Sequence, residues 1–411
     1  MTKRKKHKIV VVIICASFLQ GLQFVLSPVL GQIAEHFSDI DMSLIQMVIT
    51  VPAIVSVFVA LLSGWLALKI SKKKLLLFAA FLAGTAGLMP TVADSFWMLF
   101  FSRMVYGISL GLATTLNTAI VADFFDGDAR TSMMGIQAAS IGTGMVCITT
   151  LSGWIGKNNF ENSYWINILG FVAFALILCC LPEKRPVNTE KKEEIRLCKD
   201  VSIASGFAFL EFFFLITFST NIALHLGGTL TGDSTIAGNL IGIFSGIQIV
   251  AGLLLGRVTR YFGKYTMPAA MMSFSIGAVL LIVFPGNLPL LVISALFCGF
   301  SQGIFIPTGM VTVSNAVAPA AVTMASAVFT SAMSMGQFFS PIVLNMLSNK
   351  IFGDVTTGNV YKLAAAGMTA SAVLSVWWKK KDHGKENSYE KKACIMHTAP
   401  ERNGGTDKRI L

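Results

Sequence analysis

Two ionisable side chains stand where the surrounding sequence is apolar, and they are the residues best placed to do chemistry. Arg103 lies about a third of the way along SFWMLFFSRMVYGISLGLATTLNTAIVADFF, residues 95–125. A guanidinium inside a bilayer costs about 2.5–3.5 kcal/mol on insertion scales, so it is paired, faces protein or water, and marks function by default. It could anchor an anion or partner a proton relay; a structural bond to carbonyl groups is the alternative. Glu211, in FAFLEFFFLITFSTNIALHL, is the one carboxylate that falls deep within any apolar run. A carboxyl so placed can take up a proton and release it when water arrives, the chemistry needed to couple to a proton gradient. The alternative is a permanently protonated group packed against its neighbours. His225 lies fourteen residues on and Phe218 midway, on nearly one helical stripe. His225 is a third proton-coupling candidate, with an interfacial role as the plainer reading.

Uncharged polar groups accompany these charges. Gln20, Gln23, Phe24 and Ser27 share one helical face, and Thr114 and Asn117 continue the face of Arg103. Asn221 with Thr217, and Gln302 with Phe305, recur in later apolar runs. Lining of a cavity would explain amides in apolar helices; bonds between helices, about 0.6–2 kcal/mol each, would explain them equally. Gln137 and Gln337 are expected at contacts between bundles. Pro28, Pro52, Pro307 and Pro341 can break helices and free carbonyls.

The elements that hold these residues are membrane helices. The 411 residues are 54% hydrophobic and only 13% charged, against about 25% charged in soluble proteins. Runs of 18 or more apolar residues recur, without the alternation a barrel needs. Twelve spans are expected, at 9–33, 43–68, 75–93, 95–122, 131–156, 162–181, 201–226, 235–256, 267–285, 288–313, 322–348 and 360–378. With both termini inside, inner segments hold 28 of the 32 Lys and Arg and outer loops hold three, Lys157, Lys350 and Lys362. That bias predicts cytoplasmic termini and a cell-membrane location. The net charge of +11 therefore reflects topology rather than nucleic acid. The basic start followed by an apolar run reads as the first span, not a signal peptide. The seven cysteines show neither metal spacing nor a disulfide framework, and no cofactor or metal is expected.

The segment 182–200 is the one substantial linker between spans. It divides 1–181 from 201–378, each with six helices, ahead of a basic, disordered cytoplasmic tail at 379–411. A shift of 192 residues places Gly64 on Gly256, Lys72 on Lys264, Gly107 on Gly299, Ser109 on Ser301, Gly111 on Gly303, Thr131 on Thr323 and Gly144 on Gly336. This is the parallel repeat of a two-bundle transporter. Gly107 and Gly111, and Gly299 and Gly303 after them, should let a neighbouring helix approach closely.

Twelve spans, a central linker and this repeat resemble the major facilitator superfamily over nearly the whole chain up to Trp378. That family's loop signature, Gly-x-x-x-Asp-Arg-x-Gly-Arg-Arg/Lys, is matched at Gly64, Lys69, Lys72 and Lys73, with Leu68 and Ser71 replacing the Asp and the Gly. Its second copy keeps Gly256, Gly263 and Lys264. Arg103-Met-Val-Tyr-Gly107 resembles the helix 4 element of proton-coupled exporters, Arg-x-x-Gln-Gly, with Tyr106 in place of Gln; their helix 5 Gly-Pro element is missing. The resemblance implies an all-α membrane protein of two pseudo-symmetric six-helix bundles, with the first, fourth, seventh and tenth helices around a central cavity. It implies export of a small organic solute against protons, by a monomer that needs only the lipid bilayer around it. Proton-coupled uptake is the close alternative. A membrane-embedded enzyme would need clustered His, Asp, Cys or Ser groups, which the chain lacks. No P-loop for ATP is present.

Overall fold

The computed structural model describes residues 3–125, 127–183, 199–230, 232–317 and 322–383. Most of the linker, at 184–198, and the tail beyond His383 lie outside them.

The first pass is not one helix. α1 (Lys3–Gly21) gives way to 3-10 turns at Leu22–Phe24 and Ser27–Val29 before α2 (Leu30–His36) completes the crossing. Pro28 has no N–H for the carbonyl four residues back, and its ring crowds that carbonyl, so a continuous α-helix is blocked. The chain continues as α3 (Met42–Lys69), α4 (Lys72–Leu88), α5 (Phe96–Phe124), α6 (Gly127–Ile155) and α7 (Leu169–Cys180), the last entered through 3-10 backbone at Phe160–Ile168. Then follow α8 (Lys199–Thr229), α9 (Ser234–Phe262), α10 (Thr266–Val283), α11 (Leu288–Asn315), α12 (Val322–Phe352) and α13 (Thr357–His383).

Eleven segments of the described residues are long and apolar enough to cross a membrane, and one of them, Ser234–Val283, is 50 residues long. At 1.5 Å per residue that is about twice the length one crossing needs. It is divided at Gly263, whose φ of +55° only glycine adopts freely. Counting α9 and α10 separately gives twelve passes, as expected.

Two helices end five or more residues later than expected. α9 runs to Phe262 rather than 256, and α13 runs to His383, so 379–383 belong to a helix and not to a tail. The reason is common to both. Lys and Arg set where a helix leaves the apolar layer, but they are good helix formers and do not end it. In α9 the left-handed Gly263 does.

The packing repeats as the sequence does. α5 packs on α3 and α4, α6 on α1, and α7 on α1 and α4; likewise α11 packs on α9 and α10, α12 on α8, and α13 on α8 and α10. A Cβ at Gly107 would lie 2.9 Å from the Pro52 carbonyl, and one at Gly111 2.7 Å from that of Ser56, so α5 crosses α3 at backbone contact. Gly303 meets the Gln248 carbonyl at 2.7 Å in the same sense, and Gly299 sits against Phe244, so α11 crosses α9 alike. The two six-helix bundles then meet through α6 on α9 and α12 on α3.

Candidate functional site

Arg103 is almost fully buried, and its partners are backbone carbonyls. Nε donates to Val48 O at 3.2 Å; Nη2 donates to Leu22 O at 3.3 Å and to Gln23 O at 2.6 Å. The local sequence explains why those oxygens are free. Pro52 lacks the N–H that Val48 would meet four residues on, and Leu22 and Gln23 lie in the broken stretch of the first pass. The guanidinium also lies over the Tyr106 ring, 4.8 Å from its centre, and Tyr106 Oη donates to Leu19 O at 2.5 Å. Arg103 thus ties α5 to α3 and to the break between α1 and α2.

Glu211 is fully buried in α8. Its Oε1 accepts from Ser301 Oγ of α11 at 2.7 Å, while Oε2 has no hydrogen-bond partner among the described residues. Ser301 is the repeat mate of Ser109, which instead donates to Ala79 O at 2.7 Å. The structure does not bring Arg103 and Glu211 together: each belongs to its own bundle. His225 Nδ1 lies 2.9 Å from Thr357 Oγ1, and its ring meets Tyr361 edge-on at 5.4 Å, which joins α8 to α13 near their outer ends.

The remaining polar candidates divide into two sets. Asn117 Nδ2 donates to Ser17 Oγ at 3.0 Å and Ile13 O at 3.3 Å, so it bonds α5 to α1 within one bundle. Thr114 bonds its own helix, at 2.9 Å to Leu110 O. Phe218 stacks on Phe244 at 4.9 Å, and Phe305 on Phe329 at 6.5 Å; both are buried. Phe24 is buried beside the break. Gln20 Nε2 and Gln302 Oε1 are buried atoms without a hydrogen-bond partner among the described residues.

The second set joins the bundles. Gln23 Nε2 donates to Gln337 Oε1 at 3.4 Å, and Ser27 Oγ donates to the carbonyl of Ser219. Gln46 Nε2 donates to Asn221 Oδ1 at 2.8 Å, and its Oε1 accepts from Asn345 Nδ2 at 2.9 Å. Ser234 Oγ donates to Gly153 O at 2.9 Å. Lys157 Nζ lies 3.3 Å from Asp233 Oδ2. Burial alone would raise the Asp233 carboxyl, but bonds from Thr235 and Lys157 hold it below its ordinary value. All these contacts run from mid-depth to the end away from the termini. Gln46, Asn345, Ser234 and Asp233 were not singled out in the sequence; an amide census of every span would have found the first two. Gln337 crosses between bundles as expected. Gln137 does not: it donates to Thr118 Oγ1 of α5 at 3.3 Å, since it sits in the half of α6 nearer the termini.

The basic loops differ between halves. Lys72 Nζ pairs with Asp123 at 2.7 Å, joining the start of α4 to the end of α5, and Lys73 Nζ donates to Leu178 O at 2.9 Å. A charge contact therefore exists although Leu68 replaces the expected Asp. Lys69 ends α3, and Gly64 lies inside that helix. A Cβ at Gly256 would meet nothing within 4 Å, and Lys264 lies over the Tyr265 ring at 5.3 Å.

A family model described as Major Facilitator Superfamily matches residues 12–206 and again 201–400, one match for each bundle. The chain belongs to the major facilitator superfamily. It is similar to Multidrug resistance protein 1 of Bacillus subtilis, 26% identical over 308 residues that cover 71% of this chain and 76% of that one. It is also similar to Quinolone resistance protein NorA of Staphylococcus aureus, 25% identical over 297 residues, covering 69% and 75%. Among solved structures, the POT family transporter PepTSo superposes with a TM-score of 0.76 at 12% identity, over 95% of this chain and all of that one. A D-xylose-proton symporter gives 0.73 at 17% identity, over 90% and 97%. As a superfamily member this chain is a membrane transporter. The contacts between its bundles are then the parts that must break and re-form when it works.

Proposed function

We propose that this chain is a proton-coupled exporter of small organic solutes, working by alternating access. The observation that carries the reading is the set of bonds that joins the bundles toward the end away from the termini. Ser27–Ser219, the Asn221–Gln46–Asn345 chain and Lys157–Asp233 join the bundles at the end away from the termini. A rocking motion of units 1–181 and 201–378 would break that set and admit solute from the other side. The charge bias supports cytoplasmic termini. Export, rather than uptake, is supported by the names of the two relatives, both resistance proteins.

In this reading Glu211 carries the proton. It has one donor, Ser301, and an unpartnered oxygen, so a shift of α8 against α11 changes its exposure to water directly. Arg103 positions the broken first pass, and Gln20 and Gln302 offer uncharged polar contacts to solute. In proteoliposomes with an imposed proton gradient, Glu211→Gln is expected to abolish gradient-driven transport while leaving solute exchange across the membrane. Gradient-driven transport equal to wild type would remove Glu211 from the coupling. Solute accumulation in cells with the gene deleted and then restored fixes direction: export predicts higher accumulation in the deleted strain.

A further inference from the structure

The two bundles are not equivalent at the ends of α9 and α11. A hollow of about 590 Å³ opens there, lined in part by Thr259, Arg260, Lys264, Met267, Thr308 and Thr312. The repeat supplies its own control. Shifted by 192 residues, Thr308 and Thr312 fall on Leu116 and Ile120, which are buried in closed packing, and Arg260 falls on Leu68. The charges differ in the same sense. Lys72 is neutralised by Asp123 at 2.7 Å. Its mate Lys264 faces the other way in chemistry, because the mate of Asp123 is Asn315. Among the described residues no carboxylate pairs with Arg260 or Lys264, and both are exposed. Beside the hollow, α9 presents Leu253 and Tyr261, 82% and 85% exposed.

We infer that this hollow binds the phosphate headgroup of an anionic phospholipid from the leaflet on the side of the termini. Two cations without a carboxylate partner among the described residues supply the charge, and a guanidinium matches phosphate oxygens in a two-pronged geometry. Threonine hydroxyls line the wall, and the exposed apolar side chains of α9 would lie along the acyl chains. Basic pockets between membrane helices are the usual place for such headgroups. The proposal does not depend on the direction of transport.

The test titrates the purified full-length protein in detergent with phosphatidylglycerol, phosphatidylcholine or glycerol phosphate, and reads thermal stability. Phosphatidylglycerol should raise the melting temperature saturably, and phosphatidylcholine should not. Each cation near a membrane surface contributes roughly a fivefold factor, so Arg260→Gln or Lys264→Gln should weaken apparent binding about fivefold and the pair about thirtyfold. Asn315→Asp, which supplies the carboxylate of the other half, should weaken it about fivefold with both cations kept. Lys74→Gln, an equally basic change on the same side, should leave it unchanged. The inference fails if the double variant binds phosphatidylglycerol like wild type, or if Lys74→Gln weakens binding as much. It also fails if glycerol phosphate stabilises as well as the lipid does, since the occupant would then be a free phosphate ester.

Discussion

The crossing of α6 and α9 gives the sharpest prediction. At Gly238 an added Cβ would lie 2.6 Å from the Thr149 carbonyl and 3.0 Å from Gly153 Cα, both across the bundle interface. Neither is a flexible side-chain end, so nothing can swing aside. Gly238→Ala therefore clashes only while the outer side is shut. Overpacking of a well-packed site costs about 1–3 kcal/mol, which here falls on one state of a two-state equilibrium. The outer-closed population should drop relative to the outer-open one by a factor of about 5–150. Double electron–electron resonance between labels at Asn162 and Val355, on a background without the native cysteines, reads the outer separation directly. The wild type should show mainly the short distance and Gly238→Ala a dominant long one. Gly135→Ala is the control: on α6, its Cβ would meet nothing within 4 Å, and it should leave the distribution alone. A Gly238→Ala distribution matching wild type would refute the claim that this crossing holds the outer end shut.

Three further outcomes follow from named contacts. Arg103→Lys should lower the melting temperature by the equivalent of about 1.5–3 kcal/mol, since one ammonium cannot reach carbonyls on both α3 and the first pass; a wild-type melting curve would show that the fork is not used. Asn117→Ala should cost about 0.6–2 kcal/mol of stability with KM for any cargo unchanged, because its bonds run between α5 and α1; an altered cargo preference would place it in the cavity instead. The Lys157–Asp233 pair concerns pH. A carboxyl held below its ordinary value of 3.8 favours the closed end at all pH above that value, and the benefit is lost only as pH falls through the depressed one. The label separation should thus stay constant from pH 8 to 5. Asp233→Asn should loosen the closed end by about 0.2–1 kcal/mol, and a wild-type transition near pH 6 would assign control to another group.

Much of the architecture was legible because the bilayer leaves few choices. Spans, their number and the glycine repeat follow from apolar length and small-residue spacing, and Gly107, Gly111, Gly299 and Gly303 sit at the helix crossings their spacing implied. The partners of Arg103 were harder to read. They are backbone oxygens, which carry no side-chain signature, and only Pro52 and Pro28 hint that carbonyls stand free nearby. The amides could not be sorted at all by type. Asn117 and Asn221 look alike in sequence, yet one bonds within a bundle and the other across, a difference set by helix rotation. The outer ion pair carries no local sequence signal, because Lys157 and Asp233 are 76 residues apart, on loops of different bundles.

Ser27 and Ser219 are separated by 192 residues, the length of the repeat itself. A residue that touches its own mate must stand on the axis relating the two halves. Yet the bond is one-way: the hydroxyl of Ser27 donates, and the main-chain carbonyl of Ser219 accepts. The same amino acid at mirrored addresses is thus employed unequally. Ser27→Ala should loosen the closed outer end, whereas Ser219→Ala keeps the acceptor and should leave it shut. At the point where the duplicated halves come nearest to being identical, the molecule is obliged to choose between them.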